Sequence, residues 1–427
     1  MRRVALLCAL VAAVSSMTHA ADALTPLAER YVRLMLAIGL HDGDFIDAYY
    51  GPPAWKQQVT DAGKQPQTAL LAEGEALGSA LAATPVPAAE IERLRRTYLI
   101  AQTRAAVTRL RILGGARIDF DAESRALYDA VAPTHTDADF AAALKTLDGL
   151  LPGPGPLASR VEAFRQRFVI PRERLDTVFR AAVDACRQQT LAHLQIPEGE
   201  QFSIEYVTGK SWSGYNWYQG NYKSLIQINT DLPIFIDRAL DLACHEGYPG
   251  HHVYNVLLEH HLVRGRGWQE FSVYPLFSPQ SLIAEGTANF GIEVAYPAEA
   301  RVALERDRLF PLAGLDPSGA AKYYGVLAVL ERIEYAGNEA ARRYLNGAIT
   351  RDQAVEYLVT YSLSAPDRAR QRVRFFDQYR AYVINYNLGK DMVRAHVDRM
   401  GGTADKPAER WRLFGALLSS PRLPSGL

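Results

Sequence analysis

The chain has 427 residues, 48% of them hydrophobic and 22% charged, with 47 basic residues against 47 acidic ones. This is ordinary globular composition, and a chain of this length builds a core without a disulfide or metal staple. Neutrality without a basic tract gives nucleic acid no footing, so no nucleic-acid partner is expected.

The first twenty residues, MRRVALLCALVAAVSSMTHA, run from two arginines through an apolar stretch to small residues. That pattern predicts a signal peptide over residues 1–20 and export to the periplasm or medium. The apolar run is too short to span a bilayer, no other run resembles a membrane helix, and no span is expected after signal removal. A single mainly helical domain is expected over 21–427. The mature chain keeps Cys186 and Cys244. Two buried free thiols are expected, with pairing after export as the alternative.

LTPLAERYVRLMLAIGLHD, residues 24–42, spaces its apolar residues by three and four and predicts a helix starting after Thr25-Pro26. AEIERLRRTYLIAQTRAAVTRLRIL, 89–113, predicts a long amphipathic helix. DAESRALYDAVA and DADFAAALKTLDGLL follow, each with Asp near its start as a cap. LPGPGP, 151–156, breaks the chain and is the best candidate for a subdomain boundary. PRERLDTVFRAAVDACRQQTLAHL resumes as helix with Pro171 in its first turn. From 202 to 233 the texture changes: FSIEYV and SLIQINT are β-branched or alternating and flank a stretch rich in Gly and aromatics, which predicts a small sheet. Helices resume near Pro233 and run almost to the end. The fold class is mainly α with a small β-sheet beside the histidine motif.

That motif is CHEGYPGHH, residues 244–252. His-Glu followed by His on a helix is the pattern in which two imidazoles bind zinc and the glutamate beside the first activates a water. The usual spacing of four residues fails here, because that position is Pro249. On a straight helix His252 would share the face of His245 but lie ~10.5 Å further along, too far for one ion. Pro249 lacks the N–H that would bond the His245 carbonyl, and Gly250 permits unusual backbone angles. A bulge that absorbs two extra residues would bring His251 to the second ligand position. The alternative is a helix that ends at Tyr248, with the histidines capping the next one.

A third ligand is expected on SPQSLIAEGTANFGIEVAY, predicted as a helix over about 279–296. Its carboxylates are Glu285 and Glu293, and charge on so apolar a helix is paired or functional. Gly286 lets another backbone or a metal approach Glu285. Glu293 is a candidate for orienting a ligand histidine.

HEGYPGHH with a later Glu-Gly-x-Ala resembles a large bacterial family whose domain has no assigned function. Its signature is His-Glu-x-x-Pro-Gly-His, and it looks like a relative of the glutamate-zincin metallopeptidases. YYGPPAW, 49–55, and HEGYPGHHVYNVLLEHHLV, 245–263, look like its exported members. The resemblance spans most of the mature chain, but only the His-Glu motif is sharply specific. It implies a zincin-like helical domain and one zinc ion held by His245, His251 and Glu285, with Glu246 as base. Many members read EGWALYAE where this chain has EGTANFGIE, which leaves Glu285 in place and shifts the second glutamate. The late Ala-Tyr-x-x-Gly element is kept only as Tyr386 and Gly389.

The chemistry that fits is metal-assisted amide hydrolysis, with peptides or small amides as substrate. Tyr386 is the candidate oxyanion donor, ahead of Tyr382, Arg380 and His396. His252, Glu293, Asn289, Tyr382, Arg380, Tyr218 and Gln227 are candidates for supporting the ligands or touching substrate. SLIQINT is expected as an edge strand that pairs with an extended peptide, and Trp212, Tyr215, Trp217, Tyr218 and Tyr222 as pocket wall. His260 and His261 are expected at an exposed helix end. A hydrolase of a non-peptide amide or ester is the second reading, and a noncatalytic metal-binding protein the third.

Overall fold

The computed structural model describes residues 23–427. The signal-peptide expectation over 1–20 lies outside the described residues. Among the described residues no helix is long and apolar enough to cross a membrane.

The chain is mainly helical with little strand, as its periodicities predict. Helix α1 covers residues 23–39 and feeds β1, Ile46–Tyr49. The long amphipathic segment forms α2, Glu90–Leu113, and α3 is Leu175–His193. LPGPGP forms the loop between helices Asp137–Leu150 and Leu157–Gln166. The sheet then supplies β2, Gln201–Val207, β3, Gly214–Gly220, and β4, Lys223–Asn229. Next come α4, Ile236–Leu242, and α5, His251–Leu258. A short β5, Val273–Pro275, leads into α6, Pro279–Ala295. Near the C-terminus lie α7, Pro366–Tyr379, α8, Ile384–Arg399, and α9, Pro407–Leu418.

The sheet order is β2-β4-β3, with β2 parallel and β3 antiparallel to β4. This corrects the expectation for SLIQINT: it is the central strand, paired on both sides, and has no free edge for a peptide. Asn216 and Tyr218 of β3 and Ser224, Ile226 and Ile228 of β4 are buried, while Trp217 points outward. That is the period-two alternation of a sheet covered on one face. β1 and β5 form a separate antiparallel ribbon, which carries Asp47 to the site.

Helix α6 is apolar nearly all round and is correspondingly buried. Only Asn289 and Glu293 of this helix are not fully buried, and they follow Glu285 at intervals of four on one face. α6 crosses α8 backbone to backbone. A Cβ on Gly286 would stand 2.5 Å from the Gly389 carbonyl oxygen, and one on Gly389 would stand 2.9 Å from that of Leu282. The two glycines allow this crossing, and it sets Tyr382 and Tyr386, just before and within α8, beside Glu285.

Cys186 of α3 and Cys244 are joined in a disulfide, which corrects the expectation of two free thiols. Both sulfurs are buried where α3 packs under the histidine motif, a juxtaposition with no signature in the sequence.

Candidate metal centre

The histidine motif departs from helix where proline requires it. α4 gives way to one π-helical turn, Ala243–Gly247, and the chain then turns through Tyr248, Pro249 and Gly250 before α5 begins at His251. The Gly250 N–H bonds the Cys244 carbonyl at 2.9 Å. A Cβ on Gly250 would lie 1.9 Å from the His245 carbonyl oxygen, so only glycine fits here. The outcome joins both sequence expectations. The π-turn takes up extra residues, and a new helix starts at the histidines.

This turn brings His245 Nε2 and His251 Nε2 to 3.1 Å. Glu285 comes from α6 and places Oε2 3.3 Å from His245 Nε2 and Oε1 3.7 Å from His251 Nε2. Tetrahedral zinc with bonds of ~2.0–2.1 Å would separate its ligand atoms by ~3.4 Å. Two imidazole nitrogens and a carboxylate are also the donor set zinc takes. Glu285 Oε2 is buried and accepts no hydrogen bond. A buried carboxylate oxygen without a hydrogen-bond donor, beside two imidazole nitrogens, is an arrangement that could accept a cation. Among the described residues these three form the one such cluster able to hold a metal ion.

The electrostatics suit the same use. Burial pushes the His251 imidazole down to about 4, so it stays neutral with a lone pair available. Burial also opposes charge on His245, but Glu246 and Glu285 outweigh it and raise its pKa. Burial works against the Glu285 carboxylate too, yet the two histidines and Tyr382 hold its pKa below the usual value. Glu246 is buried beside them. Burial first, then Glu285 and Asp47, pushes its carboxyl up to about 7, while His245 pulls the other way.

Supporting contacts come from several elements. The Tyr382 hydroxyl donates to Glu285 Oε1 at 2.8 Å. Asn289 Nδ2 donates to the Glu285 carbonyl at 3.0 Å and the Tyr386 carbonyl at 3.4 Å, tying α6 to α8. Asn216 Nδ2 donates to the Glu246 carbonyl at 2.7 Å and pins the π-turn to β3. The Tyr215 hydroxyl donates to Asp47, whose carboxyl burial raises to about 7. Tyr386 lines the same cleft, of about 1640 Å³. Burial, with Glu285 adding to it, lifts its phenol well above the usual value, so it remains a donor.

Sequence reasoning missed Asp47, Asn216 and Glu200. Asn216 lay inside a stretch read only as aromatic wall. Asp47 and Glu200 come from segments whose partners are remote in sequence, and nothing local marks them.

Other candidates sit elsewhere. His252 faces away from the cleft, with Nδ1 2.8 Å from Ser224 Oγ and Nε2 3.0 Å from Glu200 Oε2. It anchors the start of α5 to the sheet. Tyr218 is buried against Glu259, to which its hydroxyl donates at 2.5 Å. Gln227 lies on the outer face of the sheet, accepting from Trp217 at 3.0 Å and donating to Glu205 at 3.2 Å. Glu293 touches no ligand histidine. It sits on the cleft wall with Arg394 Nε at 3.0 Å. Arg380 turns to Glu123, 2.7 Å away. His396 lies beside Arg399, 3.4 Å away. Trp212 and Tyr215 line the cleft, whereas Trp217 and Tyr222 do not. His260 and His261 are exposed, as expected.

No family model and no curated protein matches this chain. Among solved structures it is similar to a candidate lipoprotein of Colwellia psychrerythraea, with a TM-score of 0.50 and 14% identity over 85% of this chain and 72% of that one. The M32 carboxypeptidase of Deinococcus radiodurans R1 has a TM-score of 0.39 and 14% identity, over 96% of this chain and 93% of that one. A candidate lipoprotein of unknown function from Shewanella oneidensis has a TM-score of 0.38 and 11% identity, over 85% and 76%. The likeness to the Colwellia protein is one of fold: a mainly helical chain.

Proposed function

We propose that the protein is an exported zinc-dependent peptidase, related to the glutamate-zincins, that hydrolyses short peptides. The observation that carries this reading is the convergence of His245 Nε2, His251 Nε2 and Glu285 within 3.1–3.7 Å, with the Glu246 carboxylate buried beside them. A purely structural site has no use for an acid next to its first ligand.

His245, His251 and Glu285 would hold the ion, which supplies polarisation of the scissile carbonyl and acidification of a water. Glu246 takes the proton of the attacking water and later delivers it to the departing amine. Tyr386 donates its hydroxyl to the oxygen that gains charge as the carbonyl becomes tetrahedral. Tyr382 fixes the rotamer of Glu285 through their hydrogen bond. The leader-like N-terminus and the Cys186–Cys244 bond support export, since disulfides persist in oxidising compartments.

The test is zinc content and peptide hydrolysis in wild type, Glu246→Gln, His251→Ala and His252→Ala. One zinc per chain is expected in wild type, Glu246→Gln and His252→Ala, and none in His251→Ala. Glu246→Gln should lower turnover by at least about 10²-fold. Turnover that survives this substitution would remove Glu246 from the base role. Cleavage of non-peptide esters or amides, with peptides left intact, would move the substrate class.

A further inference from the structure

The cleft wall is rich in charge, and nearly all of it is matched. Arg165 lies 3.5 Å from Asp237, Arg301 2.8 Å from Asp241, Lys390 2.5 Å from Glu331 and Arg394 3.2 Å from Asp391. Three cleft-lining guanidiniums break this rule among the described residues: Arg332, which is exposed, and two from α7 that are partly buried. Among the described residues Arg372 has no hydrogen bond and no ion pair. Arg368 has only a bond of 3.1 Å to the Pro233 carbonyl. These two stand four residues apart, one above the other on the same face.

This arrangement costs stability twice. Like charges at this spacing repel, and both groups are partly withdrawn from water. Burial lowers both pKa values, and no carboxylate reverses that. Glu162 and Asp237 act on Arg368, and Glu334 on Arg372, through space and without pairing to them; the groups packed against the guanidiniums are aromatic. The Arg372 guanidinium lies 5.1 Å from the Phe375 ring and 5.7 Å from that of Tyr386, and Arg368 lies 5.1 Å from Phe235. These ring contacts leave the Arg372 N–H fork free, while one Arg368 nitrogen is taken by the Pro233 carbonyl. A fork of this kind matches a carboxylate with two parallel hydrogen bonds. Tyr386 is close to both charged regions: its ring lies 5.7 Å from the Arg372 guanidinium, and its hydroxyl feels Glu285 and Glu246 as well as Arg372.

We propose that Arg372, reinforced by Arg368, is a carboxylate-binding subsite of this cleft. The molecule bound there is an acid, and its carboxylate sits beside Tyr386 in the cleft that the His245–His251–Glu285 centre also lines. That this acid is a substrate rests on the hydrolase reading above. Its carboxylate comes from a free C-terminus or from an acidic side chain.

Binding tests the subsite apart from catalysis. Full-length protein carrying Glu246→Gln, as isolated, is titrated calorimetrically with three probes: N-acetyl-Ala-Ala acid, N-acetyl-Ala-Ala amide and N-acetyl-Ala-Glu amide. At least tenfold tighter binding of an acid than of the neutral amide is expected. Preference for the first probe assigns the C-terminus, and preference for the third assigns a side chain. Adding Arg372→Met should erase the preference, Arg372→Lys should restore part of it, and Arg368→Met should weaken it less. Equal binding of acids and amide, or a preference unchanged by Arg372→Met, overturns the proposal. If Arg372→Met fails to fold, Arg372→Lys decides, because it keeps the charge and loses the fork. Acid-selective binding in a protein that holds no zinc and cleaves no peptide would sink the peptidase reading and leave the subsite standing.

Discussion

Tyr382 and Tyr386 sit one helical turn apart, yet they address different atoms. Tyr382 reaches the centre only through Glu285, so Tyr382→Phe should weaken zinc affinity about 10–100-fold, as loss of an outer hydrogen bond to a ligand does. Tyr386→Phe should leave zinc content unchanged and lower kcat by about 10²–10³-fold, the effect of removing one oxyanion donor. Metal titration and steady-state kinetics on both variants separate the roles, and the opposite pattern would exchange them. Glu200 makes a different prediction. Burial opposes its ionisation, but His252, Tyr248 and Arg187 outweigh that and hold its pKa below the usual value. A carboxylate depressed in the folded state stabilises fully above its unfolded pKa and ceases to as pH falls through the folded one. Glu200→Gln should therefore lose about 1–3 kcal/mol near pH 7, the worth of hydrogen bonds to a charged group, and approach wild type once the pH has fallen through the depressed folded-state pKa of Glu200. Chemical denaturation across pH reads this, and a gap that widens in acid would contradict it. At this scale the sequence was informative where chemistry is local. His245, Glu246 and His251 lie within seven residues, and the missing N–H of Pro249 dictates where the helix must yield. Glu200 and Asp47 were invisible because their partners lie far along the chain.

The crossing of α6 and α8 is held open to no side chain at all. A methyl group at 286 would meet backbone, which cannot swing aside as a side chain can. Gly286→Ala should push the helices apart, cost about 1–3 kcal/mol and draw Tyr386 away from the cleft. Both a lower thermal midpoint and a lower kcat are expected. A stable, fully active variant would show that the two helices adjust more readily than their contact implies. Gly286 was legible as a point of close approach, though its partner was not. The same holds for the strands. Alternation in FSIEYV and SLIQINT marked them as strands, but pairing order depends on which edges meet in space. Hence β4 lies in the middle of its sheet, and the β1–β5 ribbon escaped notice. Each of its strands is too short to show a period.

Taken as a whole, the molecule draws the proposed ligand set from three places: a π-turn, the first turn of α5 and the buried helix α6. The first two are joined by the short Tyr248–Gly250 turn, but α6 is remote in sequence, so an ion bound to all three would brace α6 against the histidine motif. Chelation should lower the thermal midpoint by a few degrees, and added zinc should restore it, because a ligand that binds only the folded state stabilises in proportion to the logarithm of its excess over Kd. An unchanged midpoint would mean that the centre is empty or contributes nothing to the fold. The helical class was legible from apolar spacing along most of the chain. The cleft was not, since it is bounded by residues from 47 to 410. The Cys186–Cys244 bond, finally, ends one residue before His245. A thiol reductant in a purification buffer would therefore act on the tether of the first ligand, and preparations made with and without it should not be assumed to be the same protein. Nor should material from a reducing cytosol be equated with material matured in an oxidising compartment.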